Sequence, residues 1–226
     1  MATTATSTGP AAAEGTALTW LTEWIKGHRQ AATYAGVVIV LAAGLFGWNL
    51  LSTKTAERNA GGQLEQGRLA FDSKNYPLAA SVLAQVVENY AGTHAAQEGA
   101  ILLAQVRLAQ GQTQQAIAVL QRYAPNADKD FRAQAYGLLG AAYENALKPN
   151  DAGAAYQQAA AAAQYPFLRA QFLADAGRAW IAAGDSAKAL VAYRTIVQQL
   201  DSTSAVGEAK VRLGELTKGA ATDVAK

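Results

Sequence analysis

Glu144, Asp175 and Arg178 come nearest to a reactive constellation in this chain of 226 residues. Two carboxylates beside a guanidinium can move a proton or clamp a polar group. No nucleophile or metal ligand accompanies them, so the simpler reading is of charges on a wetted or groove-lining face. The two histidines, His28 and His94, lie on opposite sides of the most apolar segment, which argues against a shared metal site or triad. Cysteine is absent. That removes disulfides, thiolate ligands and thiol nucleophiles, and suits the chain to oxidising and reducing compartments alike. The formal charge is +2 with scattered Lys and Arg, so there is no electrostatic footprint for nucleic acid. The expectation is a non-enzymatic protein with no cofactor and no metal.

The elements that carry these charges follow an N-terminal region of a different kind. Residues 1–17 hold Ala, Thr, Ser, Gly and Pro with no large apolar residue beyond the initiator, and read as a disordered tail. In 18–30, Leu18, Leu21, Trp24 and Ile25 share a helical face away from Glu23, Lys26 and Arg29, which fits a helix at a membrane surface or a cap on the soluble part. No charged side chain occurs between Arg29 and Lys54. The apolar run within 31–53 reaches about 20 residues, enough to span a hydrocarbon core of about 30 Å. Tyr34 and Trp48 near its ends suit the headgroup level. The span reads as an uncleaved anchor, because "STKTAERNAGG" offers no small-x-small cleavage site. Lys26 and Arg29 balance Lys54 and Arg58, so charge does not orient it. The pairs Ala32/Gly36 and Ala43/Gly47 would allow two such helices to approach as a homodimer.

Beyond Ala56, helical segments alternate with short breakers such as "DSKNYP", "QGQT", "KPND" and "AGD", and no run has a strand period. A repeat emerges when Gly140 is taken as anchor: Ala152, Tyr156 and Ala159 follow at offsets shared by Gly177 with Ala189, Tyr193 and Ile196. Ala104 with Ala116, Leu120 and Tyr123 joins the series, as does Gly67 with Ala79, Leu83 and Val86. The anchors are 37, 36 and 37 residues apart, and Gly214 stands 37 beyond Gly177 in a closing helix. A small residue at each anchor lets a second helix pack close, which outweighs glycine's propensity cost of about 1 kcal/mol. The expected fold is all-α: a transmembrane helix, then a domain at 57–218 with repeats at about 60–92, 97–127, 133–166 and 170–201, a capping helix at 204–218, and a disordered 219–226.

"YGLLGAAY" followed by "AGAAYQQAA" and Pro166, and "LADAGRAW" followed by "GDSAKALVAYRTI", resemble the tetratricopeptide repeat (TPR) family. The first two copies are degenerate, with Gln63, Gln66, Ala70 and Arg107 where that family prefers apolar or aromatic residues. The spacing also exceeds the family's about 34 residues, which suggests longer turns between repeats. The resemblance implies a right-handed α-solenoid whose concave groove binds proteins. Its lining, carried over, is Leu64, Arg68 and Phe71; Ile101, Gln105 and Leu108; Gly137, Ala141 and Glu144; and Ala174, Arg178 and Ile181. Such a lining suits an apolar or extended polypeptide better than an acidic tail, although each apolar member could instead pack against the next repeat. Gly137 has no counterpart in the anchor series, and on the groove wall it would leave room for a partner.

The order "WIKGHRQ", "GVVIVLAAGLFGW" and "AERNAGGQLEQGRLAF" is similar to the membrane-anchored ancillary subunit of the bacterial Sec translocon and its relatives. This resemblance implies a single-pass protein of the bacterial inner membrane with a cytoplasmic N-terminus and a periplasmic repeat domain. Its partners would be translocon subunits, periplasmic chaperones or unfolded clients. The long Ala/Thr tail departs from that group. A structural adaptor in a cell-division or outer-membrane assembly complex is the other expectation.

Overall fold

The computed structural model describes residues 26–218. The tail 1–17, the first part of the 18–30 segment and the terminus 219–226 lie outside the described residues. Among those described there is no strand. The chain divides into two compact units, Met1–Lys54 and Thr55–Lys226.

In the first unit, Lys26 and Gly27 are helical, His28 is not, and α1 begins at Arg29 and runs to Asp72. The surface-helix segment and the apolar segment are therefore separated at His28. Val37 to Leu41, Leu45, Phe46 and Trp48 are all more than half exposed, and a Cβ on Gly44 or Gly47 would touch nothing. Among the described residues, α1 is the one helix long and apolar enough to cross a membrane.

The second unit opens with residues 55–72 of α1. There follow α2 (Tyr76–Asn89), α3 (His94–Ala109), α4 (Thr113–Tyr123) with a 3-10 turn at Ala124–Asn126, α5 (Lys129–Asn145), α6 (Pro149–Ala162), α7 (Pro166–Ala182), α8 (Ser186–Gln199) and α9 (Val206–Thr217). These form four helical hairpins and a closing helix. Their starts are marked locally. Asn75, Thr93 and Asp185 accept from the backbone N–H groups of Leu78, Ala96 and Lys188, while Pro149 and Pro166 open α6 and α7, where a missing N–H costs nothing.

Each hairpin turns the same way. Lys74, Gly111, Leu147 and Gly184 have φ of 59°, 72°, 56° and 79°, one per repeat and seven residues after each anchor. The next residue's N–H reaches back to the carbonyl of Ala70, Arg107, Tyr143 or Trp180, closing the first helix with a left-handed cap. The expected lengthening of the turns between repeats does not hold throughout: α6 and α7 are joined by 163–165 alone. Length is taken up instead in the first helices α5 and α7, which have 17 residues each.

The anchors sit where the paired helices touch. A Cβ on Gly67 would lie 2.6 Å from Leu83, one on Gly140 2.7 Å from the Tyr156 ring, and one on Gly177 2.6 Å from the Tyr193 ring. Ala104 is fully buried in one cluster with Leu120. Gly214 meets nothing, since no second helix follows α9 among the described residues. Four residues before the anchors stand Ala100, Tyr136 and Leu173, all at least partly buried, but Lys210 there in α9 is exposed. A charged residue at that register is what an end-of-stack helix needs.

Candidate interaction groove

The first helices α3, α5 and α7 place a line of side chains along one face of the second unit. Between them lies a cleft of about 520 Å³ lined by Gln105 of α3, by Asp130, Ala133, Gln134, Gly137, Leu138 and Ala141 of α5, by Leu168, Phe172 and Asp175 of α7, and by Tyr156 of α6. Asp130, Gln134, Leu138 and Ala141 follow one another at helical spacing, so they share a face of α5.

The twelve residues expected in the groove divide by position. Three before the anchor, Leu64 and Ile101 are buried in the core, and Gly137 is covered by Phe172, whose ring would lie 2.5 Å from an added Cβ. Leu64 and Ile101 are therefore corrected from groove wall to packing between repeats, while Gly137 stands in the cleft wall beside the Phe172 ring. At Gly137 the room left by the missing side chain is filled from within the chain. Ala174 is partly buried against the fourth repeat's core. One after the anchor, Gln105 and Ala141 line the cleft, Arg68 pairs with Glu98 and Glu65, and Arg178 is half exposed. Four after it, Phe71 packs on Tyr76 with ring centroids 5.9 Å apart, Leu108 is partly buried, Glu144 joins the network below, and Ile181 is exposed.

Glu144, Asp175 and Arg178 do converge. Arg178 Nη2 donates to Asp175 Oδ1 at 3.1 Å and to Glu144 Oε1 at 3.3 Å. The Tyr156 hydroxyl donates to Glu144 Oε2 at 2.8 Å. Burial, then the bond to Glu144, pushes the Tyr156 phenol well above its usual range, so it acts as a neutral donor. Burial also raises the Asp175 carboxyl, with Arg178 opposing and Glu144 and Glu208 reinforcing. These contacts tie the third repeat to the fourth. His94 is likewise structural: its ring meets Phe131 edge-on at 4.6 Å. Among the described residues no group of three His, Asp or Glu is arranged to hold a metal.

Sequence reasoning missed Asp130, Gln134, Leu138, Leu168 and Phe172. Stepping back from Ala141 by helical turns would have reached three of them. It also missed Gly153 of α6, where a Cβ would lie 2.6 Å from the Trp180 indole. Lys188 Nζ stands 4.3 Å over that same ring, beside a smaller cleft of about 400 Å³ between α6, α7 and α8.

Paired helices stacked in one register around small-residue anchors define a TPR-like solenoid, a fold that typically serves as a non-enzymatic scaffold for binding proteins. Residues 59–169 match the family model of the tetratricopeptide repeat-like domain. Its structure is similar to that of a Podosopora anserina protein described as a kinesin light chain with nearly identical TPR-like repeats, with a TM-score of 0.52 at 19% identity over 70% of this chain and 85% of that one. It is also similar to the MamA protein, with a TM-score of 0.51 at 21% identity over 71% of this chain and 87% of that one. These likenesses are of fold. No curated protein matches the chain in sequence.

Proposed function

We propose that the protein is a membrane-tethered interaction module that docks polypeptide segments in the groove of its repeat domain, as an accessory factor at the Sec translocon. The observation that carries the reading is the cleft of about 520 Å³ between α3, α5 and α7. The exposed apolar stretch of α1 supports the tether, since about 25 cal/mol is lost for each Å² of apolar surface left in water. The order of apolar segment and repeats supports the translocon assignment by resemblance. Partners would be translocon subunits, chaperones or clients, and the repeat domain would face the periplasm of a bacterial inner membrane.

A photo-crosslinking side chain at Gln134 in the cleft, with one at Gln157 in the separate cleft between α6, α7 and α8 as reference, tests this in native membranes. Translocon subunits or secreted clients should be captured from position 134 and lost when Arg68, Gln105, Glu144 and Arg178 are replaced together. Capture from 157 alone would overturn the groove, and one fixed partner from 134 would favour an envelope adaptor. Since the chain has no cysteine, a single cysteine at Gln158 and a membrane-impermeant maleimide report which side the domain faces.

A further inference from the structure

The cleft is chemically lopsided. Two carboxylates, Asp130 and Asp175, line it, and no Lys, Arg or His does. Arg178 is already shared between Asp175 and Glu144, and Lys129, Arg132 and Arg169, which adjoin lining residues in sequence, do not line the cleft. Asp130 receives only the neutral amide of Gln164, which donates to its Oδ1 at 2.9 Å. Between the acids lie Leu138, Leu168 and the exposed part of Phe172. The segment that carries Gln164 continues into Tyr165 and Phe167, each 58% exposed and stacked with centroids 5.7 Å apart. Gln105 and Gln134 bring side-chain amides to the same cleft, and each amide can both donate to and accept from an extended backbone.

We propose that the cleft selects an extended polypeptide segment carrying arginine or lysine, with its basic side chains set against Asp130 and Asp175 and its flanking apolar side chains on Leu138, Leu168 and Phe172. This rests on the reading of the groove as a docking site and names what that site prefers. A cation entering here offsets carboxylates that the chain leaves in excess, whereas an acidic segment meets like charge in partly desolvated surroundings. The stacked ring faces of Tyr165 and Phe167 offer a further favourable environment to a guanidinium on its way in.

The test uses the full chain in detergent micelles and two fluorescent ten-residue peptides with the same leucines and alanines. One carries two central arginines and the other two central glutamates. Anisotropy should show the arginine peptide binding about tenfold or more tighter. That preference should shrink in Asp130→Asn, disappear in Asp130→Asn/Asp175→Asn, and weaken as salt screens the charges. Equal affinity for the two peptides, or tighter binding of the glutamate peptide, would overturn the proposal while leaving groove docking intact. An arginine preference unchanged in the double variant would also overturn it, by placing the acidic determinant elsewhere. Binding of neither peptide would overturn the docking reading itself. Asp130 is exposed and the single variant keeps the shape of the side chain, so its folding, checked by circular dichroism, does not confound the result.

Discussion

Replacing Gly140 by alanine sets two opposing effects against each other. Alanine gains the helix about 1 kcal/mol over glycine at an interior position. The new Cβ would stand 2.7 Å from two carbons of the Tyr156 ring and 2.8 Å from a third, its root carbon. The root of the ring cannot swing aside as a side-chain tip can. Tyr156 is also 5% exposed and tethered to Glu144 through its hydroxyl. Overpacking of this kind costs about 1–3 kcal/mol, so the net change runs from near neutral to a loss of about 2 kcal/mol. Gly214 holds the same register position with nothing within 4 Å, so Gly214→Ala should keep the propensity gain of about 1 kcal/mol. The two variants should therefore differ by about 1–3 kcal/mol, or several degrees of melting temperature at about 2–4 °C per kcal/mol. Thermal and urea unfolding of the fragment 55–226, followed by circular dichroism, measures this. If both variants shift upward alike, the close approach at Gly140 is not holding the hairpin together. Gly140→Leu should exceed the alanine loss.

Two further outcomes are expected. Leu147 is a β-carbon-bearing residue at φ 56° and 89% exposed, so Leu147→Gly should relieve about 1 kcal/mol of left-handed strain and raise the melting temperature by about 2–4 °C; no rise would mean the turn bears no strain. Asp185 has its carboxyl pKa lowered, first by the Lys188 N–H and then by the Lys188 side chain. Its stabilisation is therefore present above the unfolded carboxylate value of about 3.9 and lost as pH falls through the lower folded value. Asp185→Ala should lower the melting temperature at pH 7 and by less at pH 3, and an equal decrement at both would rule out the charge as the cause.

What could be read in the sequence was what repeats. The anchors 67, 104, 140, 177 and 214 are legible because a small residue inside a helix is costly, and because its return at a fixed interval has a packing cause. Contacts made once leave no such mark. Phe172 covers Gly137 and Trp180 covers Gly153; each is a single meeting of residues from different hairpins, invisible to periodicity. Nothing in the sequence marks the ring over either glycine. The turns show the same divide. Gly111 and Gly184 announce a left-handed residue, whereas Lys74 and Leu147 adopt it without any compositional sign. In the groove, positions near the anchors were projected and the N-terminal turns of α5 and α7 were not, which left out the acidic and aromatic half of the cleft. The meeting of Glu144, Asp175 and Arg178 was legible as a charge grouping, but the Tyr156 hydroxyl that completes it was not.

The seat of Trp180 on Gly153 gives the repeats a fixed address. At the positions equivalent to Gly153 the other second helices carry Ala80, Ile117 and Leu190, and at those equivalent to Trp180 the other first helices carry Ala70, Arg107 and Tyr143. The fourth hairpin's indole fits only the notch offered by the third. Excising the third hairpin would leave every turn and anchor in phase yet drive the indole onto Ile117. The modules look alike along their length, but they cannot be shuffled.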